Sequence, residues 1–469
     1  MKKVDLLLIN PPFHRREGGG AIFPLGLGYI LAEVESAGFS WEVIDCTTII
    51  SSFYEEDLCL LKKKLEKKLM EYEPKAVGIG PCITSQLRAL IMIGELCIKH
   101  FGEENVYAGG PLASIPGQEW IFFELLGIKN IMKGDGEYAT VEMLKLLYQG
   151  KKICECPGIS QESKLITNEI TNLDNLLFPL RYNLHNNTIS MRRAINDSMS
   201  STISMITSRG CMYQCTYCVS GNIKYKKFRK RSYENIIQEI KELKKKIEFN
   251  DIIFYDDCFF YNKNTASQDV SIFCNLLLNY NLNISWQMEI RMDLLVCLKK
   301  EDILLLEQSG CRLINVGIEK TTEAGLKYLG KSESIKGVTE KIKEIKELTK
   351  IKVAGTFILG GENESISDVK KLIYDSKKMH LDYAHYNPLF VYPGTPIYEQ
   401  QFDNEKEWAY YILNDDLPWG EIVYENDKIS RSELIELVEE AYQSFYEGTE
   451  YVKSNMVKNR FNLKRERQE

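Results

Sequence analysis

Apolar and polar positions along the first 150 residues follow two alternating registers, short apolar runs of strand length and longer stretches with helical spacing. Val4–Ile9, Trp41–Ile44, Ala76–Ile79, Val106–Ala108 and Ile128–Met132 predict strands. Leu25–Ala37, Glu55–Tyr72, Gln86–His100 and Glu137–Tyr148 predict the helices between them. Such alternation predicts a doubly wound, parallel α/β sheet, whose ligands bind outside the carboxyl ends of the strands. Glycine or proline recurs at those ends, in Pro11-Pro12, Gly80-Pro81, Gly109-Gly110-Pro111 and Gly134-Asp135-Gly136. Ordinary turns use the same residues, but four such ends on one edge predict a ligand-binding rim.

Periodicity fades over residues 151–195, which read as a connection, and a second series follows over 196–400. Its strands are predicted at Ser204–Ser208, Asp251–Tyr255, Ile284–Met288, Leu313–Gly317, Val353–Leu359 and Ala384–Val391, with helical stretches such as Ser232–Lys246 and Gly337–Thr349 between them. Six strand–helix units are too few for a closed eight-stranded barrel and predict an open, partial one. Residues 401–469 have helical spacing in Ser432–Tyr446 and end in a charged segment. The aromatic residues Trp408, Tyr410, Tyr411, Trp419 and Tyr424 fit either a cap over the barrel mouth or simple packing.

Composition narrows the function classes. With 59 Lys and Arg against 66 Asp and Glu, the net charge of −7 argues against a nucleic-acid binder held by phosphate contacts. A basic run, Lys224, Lys226, Lys227, Arg229, Lys230 and Arg231, reads as a solvated helix start or as ligand contacts. No stretch of about 18 apolar residues predicts a membrane span. The opening Met1–Asn10 meets Pro11-Pro12 without a signal-type cleavage site, so a cytoplasmic protein is expected. Thirteen cysteines in a reducing compartment predict no disulfide framework.

Three of those cysteines stand apart. Cys211, Cys215 and Cys218 occur as CxxxCxxC in a Gly-led loop after the first strand of the second series. Three thiolates in one loop can each ligate an iron of a cubane and leave the fourth iron open to a chelating substrate. A zinc site would want a fourth ligand, and none lies close in sequence. Three unrelated core cysteines are the remaining alternative.

With its cysteine loop and strand ends, the second series resembles the radical S-adenosylmethionine (SAM) superfamily. That resemblance implies a 4Fe-4S cluster on Cys211, Cys215 and Cys218 that chelates SAM and reductively cleaves it to a 5′-deoxyadenosyl radical. It also implies adenine contact from Tyr217 and a ribose-side role for Glu319, at the end of Val316-Gly317-Ile318-Glu319. Asp256 and Asp257 after the second strand and Arg291 after the third are implied to lie near SAM or substrate and to serve catalysis. For Asp257 and Glu319 the alternative is a helix cap or a barrel salt bridge.

Residues 1–150 resemble the cobalamin-binding, Rossmann-like domain that precedes many radical SAM enzymes. The resemblance rests on Asn10-Pro11-Pro12, Phe23–Tyr29, Val77-Gly78-Ile79, Ala108–Pro111 and Lys133–Glu137. It implies cobalamin contacts from Pro12, Leu25, Gly26, Gly80, Gly109, Gly110, Gly134 and Glu137. The DxHxxG motif that supplies a histidine to cobalt elsewhere is absent, and neither His14 nor His100 replaces it. The implied function is a cobalamin-dependent C-methyltransferase of secondary metabolism acting on a small molecule or peptide. Non-methylating cyclisation, ring contraction or dehydration is the alternative, and an iron–sulfur or cobalamin regulatory module a third. A flavodoxin- or ferredoxin-type protein is the implied electron donor. No auxiliary cluster is expected, because no cysteine follows Cys311.

Overall fold

The protein's computed structural model describes residues 1–12, 23–50, 54–181, 202–223, 227–331, 334–404, 406–414 and 421–448. His14, Lys224, Lys226 and Trp419, named above, lie outside these residues.

The first sheet contains β1 (Lys2–Asn10), β2 (Trp41–Asp45), β3 (Tyr72–Ile79), β4 (Val106–Gly109), β5 (Asn130–Gly134) and β6 (Thr167–Asn168). Its order is β2-β1-β3-β4-β5-β6 with every pair parallel. Parallel strands need helical crossovers, so both faces are covered and the strands read as continuous apolar runs. In β1, Leu6 and Leu8 face the core beneath helix Leu25–Ser36, while Leu7 and Ile9 face the one beneath helices Glu55–Leu69 and Leu87–Phe101. The order of winding reverses between β1 and β3, with β2 on one side of β1 and β3 on the other, which places the sheet's switch point at their carboxyl ends, Asn10–Pro12 and Gly80. β6 falls in the stretch expected to be connection. A two-residue edge strand carries no readable period.

After the second sheet opens with β7 (Thr202–Met205), a small antiparallel pair, β8 (Ser208–Arg209) and β9 (Arg229–Lys230), brackets the cysteine loop. The sheet continues with β10 (Asp251–Phe254), β11 (Ser285–Arg291), β12 (Cys311–Glu319), β13 (Lys352–Leu359) and β14 (Tyr383–Pro388). The six strands run parallel in the order β14-β13-β12-β11-β10-β7, the open half-barrel that the sequence predicts. A residue per strand alternates sides. Trp286, Met288 and Ile290 of β11 therefore pack outward against the helices, and Gln287, Glu289 and Arg291 face the concave lumen.

The last described segments tie the two sheets together. β15 (Phe390–Val391) pairs antiparallel with β16 (Ile422–Val423). Val391, Ile397 and Trp408 join the same apolar core as Ile79, Leu90 and Ile121 of the first sheet's layers. The Trp408 indole is fully buried and donates its N–H to Gln118 Oε1 at 2.6 Å. For Trp408 and the buried Tyr424, packing is the role observed. Tyr410 is exposed and stacks on Trp120 at a centroid distance of 6.2 Å. No described helix is long and apolar enough to cross a membrane.

Trp408→Ala is expected to destabilise the protein by about 3–5 kcal/mol, the usual loss for a buried aromatic. Tyr410→Ala should cost under about 1 kcal/mol, as for an exposed position. Urea unfolding midpoints compare them, and equal shifts would mean that Trp408 does not anchor the C-terminal segment.

Candidate active site

Chain direction must reverse sharply after β8 for the cysteine loop to leave the barrel. Gly210 makes that turn at a φ of 81°, a left-handed conformation that side chains resist. The loop folds back on itself, because a Cβ on Gly221 would stand 1.7 Å from the Tyr213 carbonyl oxygen. Asn222 Nδ2 donates to the carbonyls of Cys215 at 2.9 Å and Cys218 at 2.6 Å. Thr216 donates its hydroxyl to the Tyr328 carbonyl at 2.9 Å and its N–H to that of Leu329 at 3.2 Å. Cys215 is buried, and Cys211 and Cys218 are half-buried.

These thiols suit iron. Burial pushes the Cys218 thiol up to about 11, with the Asp257 charge adding, and burial raises Cys211 as well. Working the other way, the backbone N–H of Tyr213 faces Cys211 sulfur, and those of Ser220 and Gly221 face Cys218. Such donors stabilise thiolates, and a bound metal would complete that stabilisation. Arg291 Nη1 lies 3.3 Å from Cys215 Sγ. Among the described residues, no three Cys, His, Asp or Glu side chains gather around one point closely enough for a single ion. A cubane needs no such single point, because it spreads three thiolates over three irons. A fourth cysteine that sequence spacing had hidden, Cys258, comes into electrostatic reach of Cys211. Its buried thiol donates to the Phe260 carbonyl at 2.9 Å.

Asp256, expected near SAM or substrate, clamps the approach to the loop. Its carboxylate accepts the Thr207 N–H at 2.8 Å, the Thr207 hydroxyl at 3.0 Å and the Ser208 hydroxyl at 2.5 Å. Burial lifts this carboxyl to about 6 against those donors. Asp257 is exposed and accepts the Ser220 hydroxyl at 2.9 Å. Arg291 stacks 3.8 Å over the Tyr213 ring and donates Nε–H to Asp293 Oδ1 at 3.0 Å. Tyr217 and Glu319 come together, with the phenol donating to Glu319 Oε1 at 3.0 Å. Lys331 reaches the same oxygen at 3.1 Å and the Gly317 carbonyl at 2.7 Å. Glu319 lies beyond a register shift in β12 at a φ of 69°. Such strain costs about 1–3 kcal/mol and gathers at functional sites. Alternation along β12 sets Glu319 on the lumen face with Asn315 and Gly317, while Ile314, Val316 and Ile318 pack outward.

The strand-end residues of the first sheet divide. Added Cβ atoms would meet Gly109 oxygen at 2.6 Å from Gly80, Cys82 nitrogen at 2.4 Å from Gly110 and Asn168 oxygen at 2.1 Å from Gly134. A Cβ on Gly109 would stand 2.9 Å from Met132 oxygen. These glycines let neighbouring loops pack against one another at the sheet's carboxyl edge. Gly26 is exposed with open space around its Cβ position, Leu25 is half-buried beside it, and Pro12 is buried two residues after β1. Glu137 is engaged by protein: Arg209 donates to it at 2.6 Å and to Asp135 at 3.0 Å. Asp135 also pairs with Arg229 and accepts the Ile170 N–H at 2.9 Å. Burial raises the Asp135 carboxyl, and Arg229 and Arg209 outweigh it and hold it below the usual carboxylate range. Arg231 is likewise buried and pairs with Glu239 at 2.6 Å. Arg231 also donates to the Tyr29 hydroxyl on the first sheet's helix at 3.2 Å, so Arg229 and Arg231 both bind the two layers together where the sequence suggested a solvated or ligand-facing patch.

Residues 205–373 match the radical SAM superfamily. The protein is a radical SAM enzyme. Across 461 residues it is 27% identical to an uncharacterised methyltransferase of Pyrococcus horikoshii, covering 95% of this chain and 93% of that protein. The fold is similar to the cobalamin- and 4Fe-4S-bound radical SAM methyltransferase TsrM of Kitasatospora setae, with a TM-score of 0.63 and 18% identity over 85% of this chain and 77% of that one. It is also similar to the cobalamin-dependent radical SAM enzyme OxsB bound to aqua-cobalamin and SAM, with a TM-score of 0.67 and 16% identity over 94% of this chain and 66% of OxsB. The radical SAM enzyme thus shares with both the sheet-plus-barrel architecture.

Breaking one side of the buried Arg209 clamp should be costly. Arg209→Met leaves Asp135 and Glu137 short of a cation and is expected to destabilise by about 3–5 kcal/mol at neutral pH. Glu137→Gln in the same chain should recover part of that loss, which a double-mutant cycle of unfolding midpoints measures. Because the Asp135 carboxyl is held low when folded, its share of stability exists above the ordinary carboxylate range and fades as pH falls through the folded value. Additive losses would show that the pair does not interact.

Proposed function

We propose that the protein is a cobalamin-dependent methyltransferase that uses radical SAM chemistry on a small molecule. The observation that carries this reading is the union of two edges. The carboxyl end of a doubly wound sheet, the ligand edge of that fold, is bolted through Asp135 and Glu137 to the residue two before Cys211. TsrM and OxsB, whose fold this chain shares over most of its length, are cobalamin-binding proteins.

In this reading Cys211, Cys215 and Cys218 hold a 4Fe-4S cluster, and Tyr217 and Glu319 flank SAM. The carboxyl edge of the first sheet, with Pro12, Leu25, Gly26, Gly80, Gly109, Gly110 and Gly134, receives cobalamin. When bound, these groups supply one-electron cleavage of SAM and a transferable methyl group. The chain's own residues position that chemistry. Asp256 fixes the loop's entry, Arg291 offers positive charge to Cys215 sulfur, and Lys331 holds the Glu319 carboxylate toward Tyr217. The electron comes from a flavodoxin- or ferredoxin-type donor.

The test is a cobalt and iron assay on protein purified without oxygen and supplied with hydroxocobalamin. Wild type should hold about one cobalt and four irons, the content of one cobalamin and one cubane. Removing all three cysteines, with Cys211→Ala, Cys215→Ala and Cys218→Ala, should abolish the iron and spare the cobalt. Iron without cobalt would end the methyl-transfer reading and leave radical chemistry without cobalamin. Iron that survived the triple substitution would end the cluster assignment.

A further inference from the structure

The concave face of the barrel carries polar groups that the cysteine loop does not use. Along β11 the residues facing inward are Gln287, Glu289 and Arg291, and Arg291 reaches the Cys215 sulfur. Glu289 therefore stands one pleat deeper than the cluster's arginine. The parallel register sets Asn315 beside Glu289 on β12. Tyr255, just past β10, feels the Glu289 charge on the other side. Ser204 of β7 faces the same lumen, since Ile203 and Met205 face the helix layer.

What distinguishes these side chains is that the protein does not satisfy them. Among the described residues, none donates to the Glu289 carboxylate, and the Gln287 amide, 8% exposed, has no hydrogen bond. Ser204 Oγ is buried without a partner. Buried polar groups are normally paired, and an orphaned one costs about 1–3 kcal/mol. The orphaned Ser204 hydroxyl and the Gln287 amide, bonded to no protein group, mark this concave surface as a place for something else to bind.

The electrostatics narrow what that is. Glu289 is exposed to the lumen yet enclosed by protein, and Asp256, Asp257 and Glu319 surround it with like charge. That enclosure, with the three carboxylates adding, raises its carboxyl to about 7. The nearest cations are engaged elsewhere, Arg291 by Asp293 and Lys331 by Glu319 and Gly317. An anionic ligand would meet repulsion from four carboxylates, and an apolar one would leave every orphan unpaired. A protonated nitrogen answers both conditions, because an ammonium brings charge and three donors together.

We propose that Gln287, Glu289, Asn315 and Tyr255 form the substrate-recognition site, and that it takes the protonated amine of a small molecule. This rests on the radical chemistry above, which requires a substrate within reach of the cluster. The amine fixes one end of the substrate in the lumen, and the carbon to be modified then lies toward Arg291 and the cysteine loop.

Equilibrium dialysis of the reconstituted holoenzyme against n-hexylamine and hexanoate tests it, since the two differ chiefly in charge. Hexylamine should bind at least about tenfold tighter than hexanoate, the scale of a partly desolvated charge pair. Glu289→Gln should erase most of that preference and leave the iron content unchanged. Equal or tighter binding of hexanoate to wild type, a comparison that needs no variant, would overturn the proposal. So would an undiminished preference in Glu289→Gln, or loss of SAM binding in that variant, which would give the carboxylate to SAM instead. Failure of the methyl-transfer reading is separate, because it appears as missing cobalt and leaves amine binding untouched.

Discussion

A loop that holds a cluster must leave the barrel and still be held still, and in this chain Arg209 supplies the restraint. Its guanidinium spans Asp135 and Glu137 from the opposite sheet and lies over the Tyr29 ring at 5.1 Å. Burying such charges offers little net stability, since desolvation offsets most of the attraction. Geometry is what it fixes. A planar fork meeting two carboxylates tolerates little rotation, so the first sheet can sit on the barrel in essentially one way. Arg229 on β9 pairs with Asp135 as well, and both ends of the cysteine excursion are thereby referred to the same turn.

The remaining restraints act on the loop from the barrel side. Asp256 at the end of β10 holds Thr207 and Ser208, and the Tyr328 and Leu329 carbonyls hold Thr216. A chelating metal needs its thiolates positioned before it arrives, because each disordered side chain adds an entropy cost to binding. Tyr217 lies inside the same loop, so restraints that place the cysteines also place its ring against Glu319. The strained backbone at Glu319 is tolerable because Lys331 and Tyr217 both hold its carboxylate.

Local signals were legible in the sequence and distant ones were not. The cysteine spacing identified the loop because three soft ligands within eight residues are a purely local pattern. Alternating apolar runs gave both sheets and the open barrel for the same reason. Glu137 and Gly134 were expected to touch cobalamin, yet Glu137 meets Arg209, some 72 positions away, and Gly134 makes room for Asn168. A buried ion pair between distant segments leaves no periodic trace. The strand-end glycines were correctly placed on one edge, but a glycine demanded by neighbouring backbone looks like one demanded by a ligand. Cys258 was missed because the fold alone brings it near Cys211.

Glu289 shows a different kind of illegibility. The sequence Trp286-Gln287-Met288-Glu289-Ile290-Arg291 alternates apolar and polar, which ordinarily signals a strand with one face in water. In an open barrel the polar face turns inward, and the same alternation describes the lining of a chamber. Period alone cannot separate these cases, because both satisfy the pleat. The distinction lies in what the opposite wall supplies. A solvated strand face meets water that can pair every group, whereas this one meets three more carboxylates and the orphaned Ser204 hydroxyl. A chamber that repels anions and leaves its donors and acceptors unpaired has selected its ligand by exclusion. Substrate choice in this enzyme therefore resides on the strands beneath the cluster, in side chains that the cysteine loop neither touches nor needs.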